Sequence, residues 1–345
     1  MLFRVGITQD FLKPDGTLGF GDIGLDLLSN AAGIEWEFLA ESCQEIPPGV
    51  ADAYDALLVL APRVTARSLD GCRRLSLVAR FGVGYDNVDV EACTRNEVIL
   101  SITPEGVRRP VATSALALLL ALSHKLLIKD RLTRTGRWAE KLDHMGTGLT
   151  GRTLGLIGLG NIGRELFRLA APFEMRHVGF DPYFPSDAAA AAGIEWQPLD
   201  RVLAESDFVV VCCALTPETH HLLDASRLRL LKPTAYLINV ARGPIIDQTA
   251  LTDVLRRRAI AGAALDVFET EPIAADDPLL QLDNVIVSPH AICWTDELFL
   301  ANGRVACRHI LDVAAGLVPT SVVNAQVLEH AAMHDKLTRY ARAGA

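Results

Sequence analysis

Residues 153–181 constrain this chain more than any other stretch. They read Thr153-Leu154-Gly155-Leu156-Ile157, then Gly158-Leu159-Gly160-Asn161-Ile162-Gly163, an amphipathic segment from Arg164 to Ala171, and His177-Val178-Gly179-Phe180-Asp181. A buried-strand run, a G-x-G-x-x-G turn, a helix and a second apolar run ending in an acid predict a βαβ unit with a dinucleotide fingerprint. Gly158 permits the tight turn out of the strand, Gly160 lets backbone approach a pyrophosphate, and Gly163 lets the helix pack close to the sheet. Free N–H groups and the positive dipole end at the start of that helix attract phosphates. Asp181, 18 residues past Gly163, stands near the spacing expected of an acid on the ribose 2′-OH. A carboxylate there would repel a 2′-phosphate, so NAD is favoured over NADP.

One βαβ unit needs neighbours to bury its sheet, and the chain supplies them. Apolar runs at 2–7, 35–39, 56–60, 77–80 and 98–102 predict strands, with helices over 23–32 and 65–72 between them. Beyond the fingerprint, a short helix at 188–192 and a strand at 195–196 precede strands over 208–213, 235–240, 261–267 and 285–289; a helix over 249–258 separates the third from the second. Strand and helix alternate throughout, which argues for α/β architecture with parallel, doubly wound sheets. A chain of 345 residues, half of them hydrophobic, is long enough for two such domains.

Thr103-Pro104-Glu105-Gly106 is a breaker cluster and the first expected boundary. Pro110 suits a first helical turn, and a helix is expected over 111–129, apolar on nearly every side from Ala115 to Leu122. Such a helix is buried on more than one face, which predicts a homodimer interface. Residues 131–149 read as a polar loop around Trp138. Thr295 is placed to cap a helix, with Asp296 and Glu297 in its first turn. That helix runs to about Ala315, and the chain from Ala325 onward reads as a loosely attached helix. The first domain would thus comprise 1–103 and 295–330, interrupted by a cofactor domain at 104–294, with 331–345 as a tail.

Net charge is −9, which gives no electrostatic footprint for nucleic acid or an anionic membrane. The apolar run at 111–122 is far short of a membrane span, and Met1 to Ile7 leads into a strand pattern rather than a signal peptide. Seven cysteines, an odd number without C-x-x-C spacing, indicate neither a disulfide framework nor a metal site. A reduced, cytoplasmic protein is expected.

Three polar residues stand where apolar strands end: Arg242 after Asn239-Val240-Ala241, Glu271 within Asp266-Val267-Phe268-Glu269-Thr270-Glu271-Pro272, and His290 after Ser288-Pro289. In open α/β sheets, ligands bind outside the carboxyl ends of the strands. Hydride chemistry on a 2-hydroxy acid needs these types. A guanidinium fork holds a carboxylate, an imidazole donates and accepts a proton, and a carboxylate orients the imidazole and favours its charged form.

Through these residues the chain resembles the NAD-dependent D-2-hydroxyacid dehydrogenases over most of 50–324. The match is carried by Phe81-Gly82-Val83-Gly84-Tyr85-Asp86-Asn87-Val88-Asp89, Gly158 to Gly163, Asn239-Val240-Ala241-Arg242-Gly243, Asp266 to Pro272, and Ser288-Pro289-His290. The resemblance implies a Rossmann cofactor domain inserted into a flavodoxin-like substrate domain, with Arg242, Glu271 and His290 as catalytic residues. It implies Gly158, Gly160, Asn161, Ile162, Gly163, Asp181, Cys213, Val240, Ala241 and Asp266 around NAD, Asp266 beside the nicotinamide. Val83, Gly84 and Arg242 would hold the substrate carboxylate. Trp294, in a place that is aromatic in the lactate and corepressor branches, would roof the pocket of a small 2-hydroxy or 2-oxo acid.

Two departures stand out: Thr113 replaces an acid usual in the family, and the Arg108-Arg109 pair is unusually basic, either anion-binding or a solvated charge. Cys293 beside the histidine is not needed as a nucleophile in hydride chemistry. A formate dehydrogenase would carry glutamine in place of Glu271. An NAD-sensing corepressor-like protein and a phosphite or phosphoglycerate dehydrogenase remain as alternatives, the last disfavoured by the absence of an added domain after about residue 325.

Overall fold

The structure is a computed structural model that describes residues 2–344. It divides into two compact units, Met1–Val107 with Trp294–Ala345, and Arg108–Cys293.

In the first unit five parallel strands run β1 (Phe3–Ile7), β2 (Ile34–Phe38), β3 (Ala56–Val59), β4 (Leu77–Arg80) and β5 (Ile99–Ser101), in the order β2-β1-β3-β4-β5. That is the flavodoxin-like order. The central strand β3 is buried at every position, which suits its unbroken Ala-Leu-Leu-Val run between two covered faces.

The second unit holds β6 (Thr153–Ile157), β7 (Arg176–Phe180), β8 (Glu195–Trp196), β9 (Phe208–Val211), β10 (Tyr236–Asn239), β11 (Gly262–Leu265) and β12 (Val285–Val287). Their order, β12-β11-β10-β9-β6-β7-β8, reverses direction between β6 and β9, as in a Rossmann sheet. Leu154, Leu156, Val209, Val210 and Leu237 are fully buried, each side chain contributing about 1.5–3 kcal/mol of hydrophobic stabilisation.

Several local expectations fail for identifiable reasons. The helix expected over 23–32 shrinks to Asp26–Ser29, because Gly24 at φ 75° and Gly33 at φ 78° lie outside helical geometry. The 65–72 segment forms turns rather than a helix. The breaker cluster at 103–106 lies at and inside a helix, Pro104–Ser123. Proline is tolerated in the first turn, where the missing N–H has no partner to lose, and Gly106 serves close packing: a Cβ there would come within 2.7 Å of Asn302 N. This helix stops short of 129. Lys125 takes a left-handed conformation, and a second helix, Leu126–Arg134, continues at 57° to the first. Residues 131–149 are therefore partly ordered, with a 3-10 turn at Trp138–Asp143. Ala115, Leu118, Leu119 and Leu122 pack into the second unit's core while Ala117 is exposed. No single helix among the described residues is long and apolar enough to cross a membrane.

The chain's end differs most. Helix Ala331–Gly344 is not loosely attached, since Met333, Leu337 and Tyr340 are buried. The Tyr340 hydroxyl donates to the buried carboxylate of Asp55 at 2.9 Å, and Lys336 Nζ donates to the carbonyls of Leu75 (2.7 Å) and Glu97 (3.0 Å). Helices Val90–Arg95, capped by Asp89, and Leu199–Glu205 are additions that the sequence pattern did not predict.

Candidate active site

Strand register brings the singled-out residues of the second unit to one edge. Ile157 pairs with both Phe180 and Val211, Val211 with Asn239, Asn239 with Leu265, and Leu265 with Val287. These residues form one row across the sheet. Just beyond that row, Gly158, Asp181, Cys213, Val240 to Arg242, Asp266 and His290 leave the sheet on its carboxyl side, where ligands bind in open α/β folds.

The fingerprint turn is closed around Gly158 and Gly163 and open at Gly160. Gly158 sits at φ 102° with Cys213 N within 2.6 Å of where a Cβ would lie, so a side chain is excluded there by conformation and space together. A Cβ on Gly163 would run into the Gly158 carbonyl, which is the close helix–strand approach that position demands. Around Gly160 nothing lies within 4 Å of the corresponding point. That opening faces the start of the helix Asn161–Ala170, with Asn161 exposed and Ile162 half-buried. Asp181 accepts from the N–H groups of Leu159 and Tyr183, both at 2.9 Å. A carboxylate has about four acceptor sites, so capacity for a diol remains. The Cys213 thiol is pushed up to about 11 by burial, with the Asp181 charge adding to it, and is a neutral neighbour of this site.

The end of β10 is shaped by Asn239, whose side chain accepts from Ala241 N at 3.0 Å and donates to the Arg242 carbonyl at 2.9 Å. The turn then lies directly on the β11 loop: a Cβ on Gly243 would fall within 2.5 Å of Glu269 N and nearer still to the Phe268 carbonyl. In that loop Phe268 N donates to Glu271 Oε1 at 2.9 Å, and the other carboxylate oxygen meets His290 Nδ1 at 2.8 Å. Burial pushes the Glu271 carboxyl up. The hydrogen bonds from His290 and Phe268, with the charges of His290 and Arg242, outweigh it and hold the group below the usual carboxylate value. Arg242, Glu271 and His290 thus share one electrostatic neighbourhood.

His290 stands on a turn knitted by Asp266, which is 3% exposed. Asp266 Oδ1 accepts from the Ser288 hydroxyl (2.6 Å) and the N–H groups of Ala291 (3.0 Å) and Ile292 (3.1 Å), and its carbonyl accepts from His290 N at 2.8 Å. Burial raises the Asp266 carboxyl, with these bonds and the His290 charge opposing. His290 itself is held at φ 54°, a left-handed conformation uncommon outside glycine. The neighbouring Cys293 thiol is pushed up to about 11 by burial and the Asp266 charge, so it is no thiolate nucleophile at neutral pH.

In the first unit, Val83 and Gly84 are half-buried on a loop pinned by Gly82 N to Thr103 Oγ1 at 2.8 Å and Thr103 N to the Gly82 carbonyl at 2.9 Å. Phe81, just before that loop, stacks on Phe299 at 5.8 Å. Phe299 stacks on Phe20 at 4.1 Å, and Trp294, 49% exposed, meets both edge-on. Phe20 was not singled out from sequence, being 61 residues from Phe81 with no motif to link them. Arg109 pairs with Glu165 at 3.2 Å in the second unit.

The sequence pattern of the D-isomer specific 2-hydroxyacid dehydrogenase NAD-binding domain matches residues 116–291. The chain belongs to this family. It is an oxidoreductase acting on CH–OH groups with a nicotinamide dinucleotide. It is 37% identical over 313 residues to a glyoxylate reductase of Thermococcus onnurineus, covering 88% of this chain and 93% of that one. A glyoxylate reductase of Pyrococcus furiosus is 36% identical, with coverages of 89% and 93%. Among solved structures, an acyclic imino acid reductase in complex with NADPH and D-Arg superposes with a TM-score of 0.81 at 25% identity, covering 93% of this chain and all of that one. The 2-hydroxyacid dehydrogenase of Ketogulonicigenium vulgare does so at 0.77 and 26%, covering 94% and 99%.

Proposed function

We propose that the protein reduces small 2-oxo acids to D-2-hydroxy acids with NADH, reversibly, with His290 as the acid/base. The observation that carries this is the 2.8 Å His290 Nδ1–Glu271 Oε2 bond on the carboxyl edge of the dinucleotide sheet. With Nδ1 committed to a carboxylate held in its ionised form, Nε2 is the nitrogen that gives a proton to the 2-oxo oxygen and takes it back in the oxidative direction. Arg242 binds the substrate carboxylate through its planar fork and polarises the carbonyl. Glu271 stabilises the imidazolium and fixes its orientation. Asp266 holds the turn that presents His290 and is the acid beside the nicotinamide in this reading. Bound nicotinamide dinucleotide supplies the hydride for C2. Val83, Gly84 and Trp294 are the remaining substrate-binding residues of this reading.

Gly158, Gly160, Asn161, Ile162, Gly163, Asp181, Cys213, Val240 and Ala241 line the cofactor in this reading, and the Asp181 charge selects NAD over NADP. The first unit is the substrate domain. Large apolar side chains exposed between residues 126 and 145, Leu126, Leu127, Trp138, Leu142 and Met145, support a homodimer in this reading, since exposed apolar area is what a partner surface covers. The seven free cysteines suit a reducing cytoplasm.

The names of the curated relatives support glyoxylate as a substrate. The deciding experiment follows oxidation of NADH and of NADPH with glyoxylate, hydroxypyruvate, pyruvate, and branched and aromatic 2-oxo acids. Turnover of at least one acid, faster with NADH, is expected. Tight NADH binding with no turnover of any acid would replace the enzyme by a nucleotide-sensing protein.

A further inference from the structure

A second histidine–carboxylate pair occupies the same unit and has no part in the mechanism above. His221 Nε2 is hydrogen-bonded to Glu269 Oε1. Glu269 Oε2 accepts from Gln248 N at 3.3 Å, and Glu269 N donates to Gln248 Oε1 at 3.0 Å. Gln248 Nε2 in turn donates to Asp277 Oδ2 at 3.0 Å. Main-chain bonds complete the junction: His221 N to the Pro244 carbonyl at 2.8 Å, Leu223 N to Ile245 O at 3.0 Å, and Asp247 N to Leu223 O at 3.2 Å. Three segments, 221–223, 242–248 and 266–271, therefore meet at one carboxylate. The second carries Arg242 and the third carries Glu271. Both members of the pair are about one-third exposed, 37% and 32%, and a bare ion pair at that exposure adds little to stability. What it bridges matters more than what it is worth alone.

We propose that the His221–Glu269 pair is a positioning device that fixes the Arg242 turn against the loop bearing Glu271 and, through Glu271, against His290. The inference rests on the dehydrogenase reading for its kinetic meaning. Gly243 seats its turn on the backbone of Phe268 and Glu269, but contact of that kind resists approach and not separation. Gln248 opposes separation at the far end of the segment, and His221 adds a restraint beside the turn itself: its backbone holds Pro244 while its side chain holds Glu269. His221 is itself at φ 49°, a conformation kept where surroundings over-determine it, and the His220 ring stacks on it at 4.1 Å.

The test compares H221A, E269A, the double variant and E269Q, which keeps a hydrogen-bond acceptor. Readouts are kcat and KM for a 2-oxo acid, NADH affinity by fluorescence titration, and melting temperature. Each alanine variant should lose about ten- to a hundredfold in kcat/KM, the scale of a misplacement near 1 Å. The double variant should be no worse than the poorer single one, NADH affinity should stay within about threefold of the parent, and E269Q should recover most of the loss. Unchanged kcat/KM, additive losses, a loss matched in NADH affinity, or an E269Q as impaired as E269A would each overturn the proposal. If the parent enzyme turns over no 2-oxo acid, the dehydrogenase reading fails instead. Crystal structures of parent and E269A then decide the positioning claim: Arg242 displaced from the Glu271–His290 pair supports it, and Arg242 unmoved overturns it.

Discussion

Gly243→Ala adds one methyl group and should cost about a hundredfold in kcat/KM. A Cβ at this position would lie within 2.5 Å of Glu269 N and closer to the Phe268 carbonyl, where real Cβ contacts stay beyond about 3.0 Å. Both obstacles are backbone, so no side chain can swing aside. The turn carrying Arg242 and the loop carrying Glu271 must part by a distance on the order of 1 Å, and misplacement on that scale costs about 100-fold in rate, or ~2.7 kcal/mol of activation free energy. Overpacking of this kind also lowers folding stability by about 1–3 kcal/mol, which a melting curve will register as a fall of several degrees. The assay is steady-state oxidation of NADH with the best acid from the substrate panel, paired with NADH titration. Cofactor affinity should fall by less than turnover, because the fingerprint turn stands on other strands while only Val240 and Ala241 of the cofactor residues share the displaced turn. A Gly243→Ala enzyme with parental kcat/KM would show that catalysis does not depend on how the β10 turn sits on the β11 loop.

His290→Ala should abolish turnover of 2-oxo acids while NADH affinity stays within about a few-fold; surviving turnover would remove the proton-transfer role. Glu271 has a folded-state pKa held below its ordinary 4.5, so its contribution to stability is complete above that value and is lost as pH falls through the folded value. The gap in melting temperature between the parent and Glu271→Gln should therefore be steady near neutrality and close in acid, and a gap that widened in acid would contradict the sign. Gly160→Ala meets open space and should leave the melting temperature unchanged while weakening NADH binding at least about tenfold, since the methyl group stands where the pyrophosphate approaches. Asp181→Ala should raise the ratio of kcat/KM for NADPH over NADH by about tenfold or more, by removing the charge that repels a 2′-phosphate.

The large features were legible because their signals are local and periodic. Residues 153–181 announced strand, turn, helix and acid by spacing alone, and β6, β7 and β9 stand where the apolar runs placed them. The family resemblance singled out Arg242, Glu271 and His290 residue by residue, and strand register explains how positions 29 and 19 residues apart reach one edge. Tertiary contacts carried the rest. Gly106 reads as a breaker in sequence and serves as a close-packing site against Asn302. Helix Ala331–Gly344 looked detachable because its partners, Asp55, Leu75 and Glu97, lie more than two hundred residues upstream. His221 and Glu269 gave no signal, since a doubled histidine and an acid two places before another match no spacing rule. Phe20 was hidden for the same reason, its neighbours Phe299 and Trp294 being supplied by the far end of the chain.

The positive φ of His290 bears on how its chemistry can be dissected. A left-handed backbone penalises most L-residues, whereas asparagine tolerates it. Alanine there removes the imidazole and also invites the turn held by Asp266 to relax, so the two effects arrive mixed. Asparagine removes the titrating ring yet keeps a polar group beside Glu271 and a backbone content with its torsion, which makes it the replacement that separates proton transfer from local refolding.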